Sequence, residues 1–435
     1  MADRLLPRDA ALDRLKTLHA RAIDLSLNRV HRLLDALGRP QDRLPPVIHV
    51  AGTNGKGSTL AFLRAIAEAA GLKVHVFTSP HLVRFAERIR LNGTLIADAA
   101  LADLLDRVEA ANAGEAVTFF EITTCAALQA FAETPADLVL VEVGLGGRWD
   151  ATNVFEAPLA AVITPVDQDH AEFLGTDLAG IAAEKAGIVK RSRPVFSARQ
   201  RPEAEVAIVR IADELSAPLF LMGRDFDAWA EKGRLIYQDD AGRLDLPRPA
   251  LAGPHQIANA GLAVAALRRL GLAAEPAFAG GVAEARWPAR LQQLTRGPLG
   301  ARATAAGADL LLDGGHNPHA AAALAAALHE LQARDPRPLA LIVAMLGSKD
   351  AAGFFAPFAA LRPRVFTVPF EAERTIPPPE LATIATAAGL HAEPAADVEA
   401  ALDRALTLDA PRVVICGSLY LAGEVLARSP ETWPT

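Results

Sequence analysis

Short, mainly apolar runs rich in β-branched residues recur along the first two thirds of the chain, at residues 47–51, 73–78, 137–143, 159–164 and 194–197. Between them lie alanine- and leucine-rich stretches of helical length, at 58–70, 101–111 and 122–132. Runs that are mainly apolar, rather than regularly alternating, read as strands buried on both faces, as in a parallel sheet covered by helices. The pattern therefore predicts an α/β fold. Residues 223–250 interrupt it with Gly, Pro and paired charges, as a hairpin excursion does, and a helix predicted over 255–270 restores it. The rhythm stops again around Arg286-Trp287-Pro288-Ala289-Arg290 and Gly297-Pro298. A second strand series follows at 310–312, 339–345, 365–368 and 413–416. Pro and Gly at such a break mark a boundary between folding units, which gives an N-terminal domain over 1–295 and a smaller C-terminal α/β domain over 296–435.

A chain of 435 residues fits that division, since domains run to about 100–200 residues. Hydrophobic residues make up 51% of it and charged ones 22%, enough to bury substantial cores. The net charge of -7 argues against a general nucleic-acid or membrane surface and leaves small molecules as partners. Cys125 and Cys416 sit far apart in apolar surroundings, which reads as two buried thiols in a reducing cytoplasm. Neither an apolar signal core nor a membrane-length apolar run is present. Only seven of the 44 basic residues are lysines. A lysine in so arginine-rich a chain merits inspection wherever a compact ammonium, or an amine able to lose its proton, is needed.

One such lysine lies in Gly52-Thr53-Asn54-Gly55-Lys56-Gly57-Ser58, between the strand ending His49-Val50-Ala51 and the helix opening Ser58-Thr59. Glycines there let backbone N–H groups and a helix N-terminus face an anion, with Lys56 as a mobile positive charge. The loop departs from the general phosphate-loop pattern: its leading glycine is too close, and Gly57 separates the lysine from the hydroxyl residue. Two acids stand at the C-terminal ends of predicted strands, where parallel sheets bind ligands: Glu142, before a glycine-rich turn, and Asp313, before Gly314-Gly315. Lys185 lies on a helix predicted over 181–188, where the plain reading of Glu184-Lys185 is a solvated face. Read from the residues alone, His170 is a capped turn or core histidine, and Phe119 and Phe120 are ordinary core.

The spelling of this loop resembles the nucleotide loop of folylpolyglutamate synthases, relatives of the Mur peptide ligases, which usually lack the glycine after the lysine. The resemblance continues in order through Ser79-Pro80-His81-Leu82, the segment Glu142 to Asn153, Asp169-His170, Glu184-Lys185-Ala186-Gly187-Ile188 and Asp313-Gly314-Gly315-His316-Asn317-Pro318. It implies a Mur ligase-like fold, with a P-loop domain followed by a Rossmann-like domain. It also implies ATP as co-substrate, held by residues 52–59 with Asn259, Arg290 and Asp313. Two magnesium ions are implied, one near Ser79 and Glu142, the other near Glu142 and His170. By the same resemblance Lys56, Lys185 and His170 are catalytic, with Lys185 carrying a carbamate formed from carbon dioxide and acting as a metal ligand. Pterin recognition falls to Asp24-Leu25-Ser26-Leu27, Phe119-Phe120-Glu121 and Trp149-Asp150-Ala151, and glutamate binding to His316 and Ser418. Two positions depart from the family's usual residues: Gly315, usually alanine, and Ala289, usually glycine, where a positive φ would strain the alanine.

The expected activity is ATP-dependent ligation of L-glutamate to dihydropteroate and to the γ-carboxyl of reduced folates, through an acyl phosphate, by a cytoplasmic monomer. The bifunctional bacterial type, with both synthase activities, is the form expected. Two alternatives are a Mur-type ligase acting on a nucleotide-linked sugar peptide and a P-loop switch without ligation. The first is disfavoured by Gly57, the second by the second domain with its Asp313 loop.

Overall fold

Five of the apolar runs become the central strands of an eight-stranded sheet: β1 (Val47–Ala51), β2 (Val74–Phe77), β5 (Leu138–Glu142), β6 (Ala160–Ile163) and β7 (Val195–Ser197). The sheet is completed by β3 (Ile89–Leu91), β4 (Thr94–Leu95) and β8 (Leu219–Leu221), in the order β4-β3-β2-β5-β1-β6-β7-β8. Every neighbouring pair from β2 across to β8 is parallel, whereas β3 and β4 add an antiparallel edge. The computed structural model describes residues 26–372 and 374–435, together with Leu12, Arg14, Leu15 and Leu18. Asp24 and Leu25 lie outside the described residues. Among the described residues no helix is long and apolar enough to cross a membrane.

Both faces of this sheet are covered, which is why its strands carry no polar alternation. Ile48, Val50 and Leu140 point into a core with the Lys56–Ala69 and His255–Arg269 helices. Val47, Val139 and Val141 point into another with the Asp98–Asn112 and Phe119–Glu133 helices. The 223–250 excursion forms an antiparallel meander of β9 (Phe226–Glu231), β10 (Arg234–Asp239) and β11 (Gly242–Leu246).

A second sheet is built from β12 (Gln292–Gln293), β13 (Asp309–Leu312), β14 (Leu339–Val343), β15 (Arg364–Thr367), β16 (His391–Pro394) and β17 (Arg412–Cys416). Their order is β12-β13-β17-β14-β15-β16. The sheet is parallel except for β12, which pairs with β13 through Gln292↔Leu312, so the linker joins this sheet directly. Ala289 and Leu294 are already part of the C-terminal core.

Candidate active site

Three loops leave the C-terminal ends of neighbouring strands: 52–58 after β1, 143–153 after β5 and 164–170 after β6. Register places Val50 opposite Glu142, so the carboxylate of Glu142 emerges beside the phosphate loop. Gly52 has φ +146 and backs onto Thr164, where a Cβ would collide with the threonine side chain. Thr53 fixes the loop to the next one: its hydroxyl donates to the Asp167 carbonyl at 2.8 Å and accepts the Asp167 N–H at 3.0 Å. Gly57, the unusual glycine, lies under the linker's Trp287, and a Cβ there would come within 2.7 Å of the indole ring. The extra glycine is thus a seat for the linker.

Two lysines meet at one carbonyl. Lys56 Nζ donates to Gly52 O at 3.1 Å and to Thr53 O at 3.2 Å, and Lys185 Nζ donates to the same Gly52 O at 3.1 Å. Burial lowers Lys56 from the ordinary lysine range, while Glu142 and Asp169 pull it back up. Lys185 is only 5% exposed. Burial, with the positive charge of Lys56, brings its amine down to about 7. The solvated face expected from Glu184-Lys185 is therefore not what forms at Lys185.

Glu142 is buried and its pKa is raised by that burial, against the pull of Lys56 and the Ser79 N–H, which donates to Oε2 at 3.3 Å. A carboxylate is the type of oxygen donor that a hard cation such as magnesium takes, one or two at a time, completing its shell with water and phosphate oxygens. Among the described residues no three His, Cys, Asp or Glu side chains converge as a self-sufficient metal cluster. His170 sits at φ 53 and is exposed at the surface, beside Asp169.

The C-terminal domain brings its own strand ends to the same place. Asp313 Oδ2 accepts the Leu291 N–H at 2.9 Å and Oδ1 accepts the Gly315 N–H at 2.8 Å. It therefore holds the linker around Arg290. Arg290 Nη1 donates to Ala289 O at 2.8 Å, and Ala289 does take a left-handed φ of 52, with Leu291 at 46. Across the domain boundary Asn54 Nδ2 donates to Asn317 Oδ1 at 3.1 Å, and Asn317 Nδ2 donates to Asp169 Oδ2 at 2.9 Å. Lys349 Nζ donates to Asp169 Oδ1 at 2.5 Å. Burial alone would raise the Asp169 carboxyl, but His316, His170 and Lys349 together hold it well below the usual carboxylate range.

Other expected site residues have occupied side chains. Asn259 donates to Gln256 Oε1 at 3.0 Å beneath Gly55. Ser418 caps the Leu419–Ala427 helix, its Oγ accepting the Tyr420 N–H at 3.1 Å. His316 Nδ1 pairs with Gly314 O at 2.9 Å. Glu121 caps its helix through the Thr118 N–H at 2.8 Å and accepts from Arg29 at 2.8 and 3.0 Å. Asp150 organises the 144–153 loop by accepting from the Leu145 N–H at 2.8 Å and the Thr152 hydroxyl at 2.5 Å. That hydroxyl in turn meets His49 Nε2 at 2.8 Å.

Of the segments expected around a pterin, two touch each other, and the described end of the third leads into a helix that binds one of them. Ser26 and Leu27 lead into the Asn28–Ala36 helix, whose Arg29 binds Glu121, and Phe120 packs on Gly144 at the root of the loop carrying Trp149. Trp149 is 49% exposed, whereas Ala151 is buried and Phe119 rests edge-on against Phe85 at 5.9 Å.

Sequence reasoning passed over Arg88 and Lys349. Arg88 is buried, which lowers it to about 10; its Nε donates to His81 Nδ1 at 2.9 Å, and it lies within electrostatic reach of Glu142. Nothing local in the sequence marks Arg88 among so many arginines. Scarcity does mark Lys349, as one of seven lysines. A cavity of about 930 Å³ is lined by Gly57, Ser79, Glu142, Trp287 and Arg290.

A glycine-rich loop with two converging lysines and a buried carboxylate on one domain, facing the strand ends of a Rossmann-like second domain, define an ATP-dependent ligase of the Mur type. Residues 50–267 match the Mur ligase middle domain, and residues 300–428 match the C-terminal domain of dihydrofolate synthetase. The chain is 37% identical over 370 residues to the dihydrofolate synthase/folylpolyglutamate synthase of Escherichia coli, covering 85% of this chain and 83% of that protein. It is 32% identical over 421 residues to the folylpolyglutamate synthase of Lacticaseibacillus casei, covering 91% and 92%. Among solved structures, E. coli FolC in complex with DHPP and ADP superimposes with a TM-score of 0.85 at 34% identity over 98% of both chains. A bifunctional folylpolyglutamate synthase/dihydrofolate synthase with Mn, AMPPNP and L-glutamate bound gives 0.84 at 34% identity over 97% of both. The chain belongs to the dihydrofolate synthase/folylpolyglutamate synthase family.

Proposed function

We propose that this enzyme ligates L-glutamate to dihydropteroate and to the γ-carboxyl of reduced folates, with ATP activating the acceptor carboxylate as an acyl phosphate. The observation that carries the reading is the meeting of Lys56 and Lys185 at the Gly52 carbonyl, directly opposite a domain that contributes Asp313, Asn317 and Lys349. A carboxylate is a poor electrophile, so it must first take the γ-phosphoryl group. Lys56 and the loop N–H groups offset charge on that group in flight, because phosphoryl transfer depends mainly on positioning and electrostatics. The amine of glutamate then attacks the acyl carbon, phosphate departs with the bonding electron pair, and the amine gives up a proton. Seating of the second domain keeps water from the acyl phosphate.

Ser79, Glu142 and His170 are the residues that would hold magnesium, and their two oxygen donors suit a hard ion better than a soft one. Magnesium when bound supplies positive charge to the triphosphate. The neutral amine of Lys185 adds to carbon dioxide, losing one proton and becoming an anionic carbamate, a reaction open to an amine near pH 7 and closed to a guanidinium. The exposed Trp149, on a loop whose root packs on Phe120, supports a flat heterocycle as acceptor, since an indole can stack on it. Two buried free thiols support a reducing compartment, the cytoplasm. The family resemblance supports a monomer.

The deciding experiment incubates the purified protein with ATP, magnesium, L-glutamate and either dihydropteroate or tetrahydrofolate, and scores ADP and ligated product. Product from either acceptor is expected. No product from both, with ATP binding intact, sinks the reading.

A further inference from the structure

The corner at 167–170 belongs to the N-terminal domain, yet most of the groups that hold its Asp169 side chain come from the other one. Lys349 Nζ donates to Oδ1 at 2.5 Å, Asn317 Nδ2 donates to Oδ2 at 2.9 Å, and His316 Nε2 stands 3.5 Å from Oδ2. Oδ1 also accepts the backbone N–H of His170, at 2.7 Å. One carboxylate is thus shared between the main chain of His170 and three side chains of the C-terminal domain. The pair is dry: the Asp169 and Lys349 side chains are 9% and 10% exposed. His170 is left-handed, with φ 53, a conformation uncommon outside glycine though more frequent for histidine than for most residues.

We propose that Lys349 is a positioning residue for ligation, which locks the His170 corner only when the C-terminal domain is seated over the phosphate loop. The proposal rests on the ligase reading above. Lys349 acts through Asp169. A buried carboxylate stripped of its counter-charge must either take up water or change partners, and both loosen the corner it holds. Domain seating and placement of His170 then become one event, so the site is complete only when water is excluded.

The test uses full-length Lys349→Met, Lys349→Arg, Asp169→Asn and the K349M/D169N double variant, with thermal melts to show that each is folded. With ATP, magnesium, L-glutamate and tetrahydrofolate, K349M is expected to lower kcat by about 30-fold or more, the scale for truncating one partner of a buried charge pair. It is also expected to form more ADP than ligated product, because a loose site lets water take the acyl phosphate. Lys349→Arg recovers part of the coupling, and the double variant loses no more than the worse single one. A K349M enzyme within about twofold of the parent in kcat and in ADP formed per product overturns the proposal, as do single losses that multiply in the double variant. A second arm needs no ligation: dyes on the two domains report their separation with a non-hydrolysable ATP analogue. K349M is expected to shift that distribution towards the open form. An unchanged distribution overturns the proposal even if no folate acceptor is ligated, so failure of the latch and failure of the ligase reading are separable.

Discussion

Replacing Lys185 with methionine separates two consequences of one buried amine. In the folded chain its pKa lies at about 7, against 10.5 for an ordinary lysine, because burial and Lys56 both disfavour the ammonium. Between those two values the unfolded chain binds more protons than the folded one, so stability rises with pH across that window. The cost of burying Lys185 is absent above the unfolded value, grows as pH falls, and is complete below about 7. At about 1.4 kcal/mol per unit, it is on the order of 5 kcal/mol. Methionine removes that cost and leaves the Gly52 carbonyl with Lys56 as its remaining donor, a loss of about 1 kcal/mol. K185M is therefore expected to be more stable than the parent by about 4 kcal/mol below about pH 7, with the gain shrinking towards about pH 10. Denaturant melts at a series of pH values in buffer stripped of carbon dioxide measure it. Ligation moves the opposite way: K185M is expected to be inactive, while the parent loses activity below about pH 7 and regains it when bicarbonate is supplied. A stability difference that is flat with pH would refute the burial argument, and a fully active K185M would remove the carbamate.

Lys56→Ala is expected to lower ligation by about 10²-fold or more with the fold intact, on the scale of removing one charge-stabilising donor; full activity by the ADP assay would unseat the phosphate-loop assignment. Gly57→Ala drives a methyl against Trp287 and is expected to weaken nucleotide binding by about tenfold. Isothermal titration should find binding restored in Gly57→Ala/Trp287→Ala, and no restoration would mean that the clash is not the cause. Glu121→Ala breaks a pair in which the acid is 4% exposed and Arg29 is 20% exposed. It should cost about 3 kcal/mol of stability, the low end for a buried pair. An unchanged melting midpoint would refute that structural role for Glu121.

The central strands were legible because each is apolar on both faces, and that signal is independent of what lies beside it. The edge strands were not: β16, His-Ala-Glu-Pro, is a half-exposed edge with no apolar pattern to find. Helices were placed to within a few residues, as with 255–270 against His255–Arg269. Of the site, the parts written in contiguous residues could be read, above all the phosphate loop and Glu142. The parts made by distance could not. Asp169 gains its meaning from Lys349 and Asn317, which lie 180 and 148 residues away. Polar identity alone also does not show when a side chain is engaged by its own neighbourhood. The Ser418 hydroxyl is taken up as a helix cap, and the Asp150 oxygens bind the loop that carries them.

Trp287 gives the molecule an optical reporter of its own. Of the four tryptophans, Trp149 stands half in solvent, Trp229 lies in the peripheral meander and Trp433 lies under Arg84, leaving Trp287 as the indole against the phosphate loop. A nucleotide arriving on that loop changes the field and the water around this ring, and so does any rotation of the linker it belongs to. With Trp149, Trp229 and Trp433 replaced by phenylalanine, the emission of the unlabelled chain would follow occupancy and domain motion together in stopped flow, and their order in time would be read from one signal.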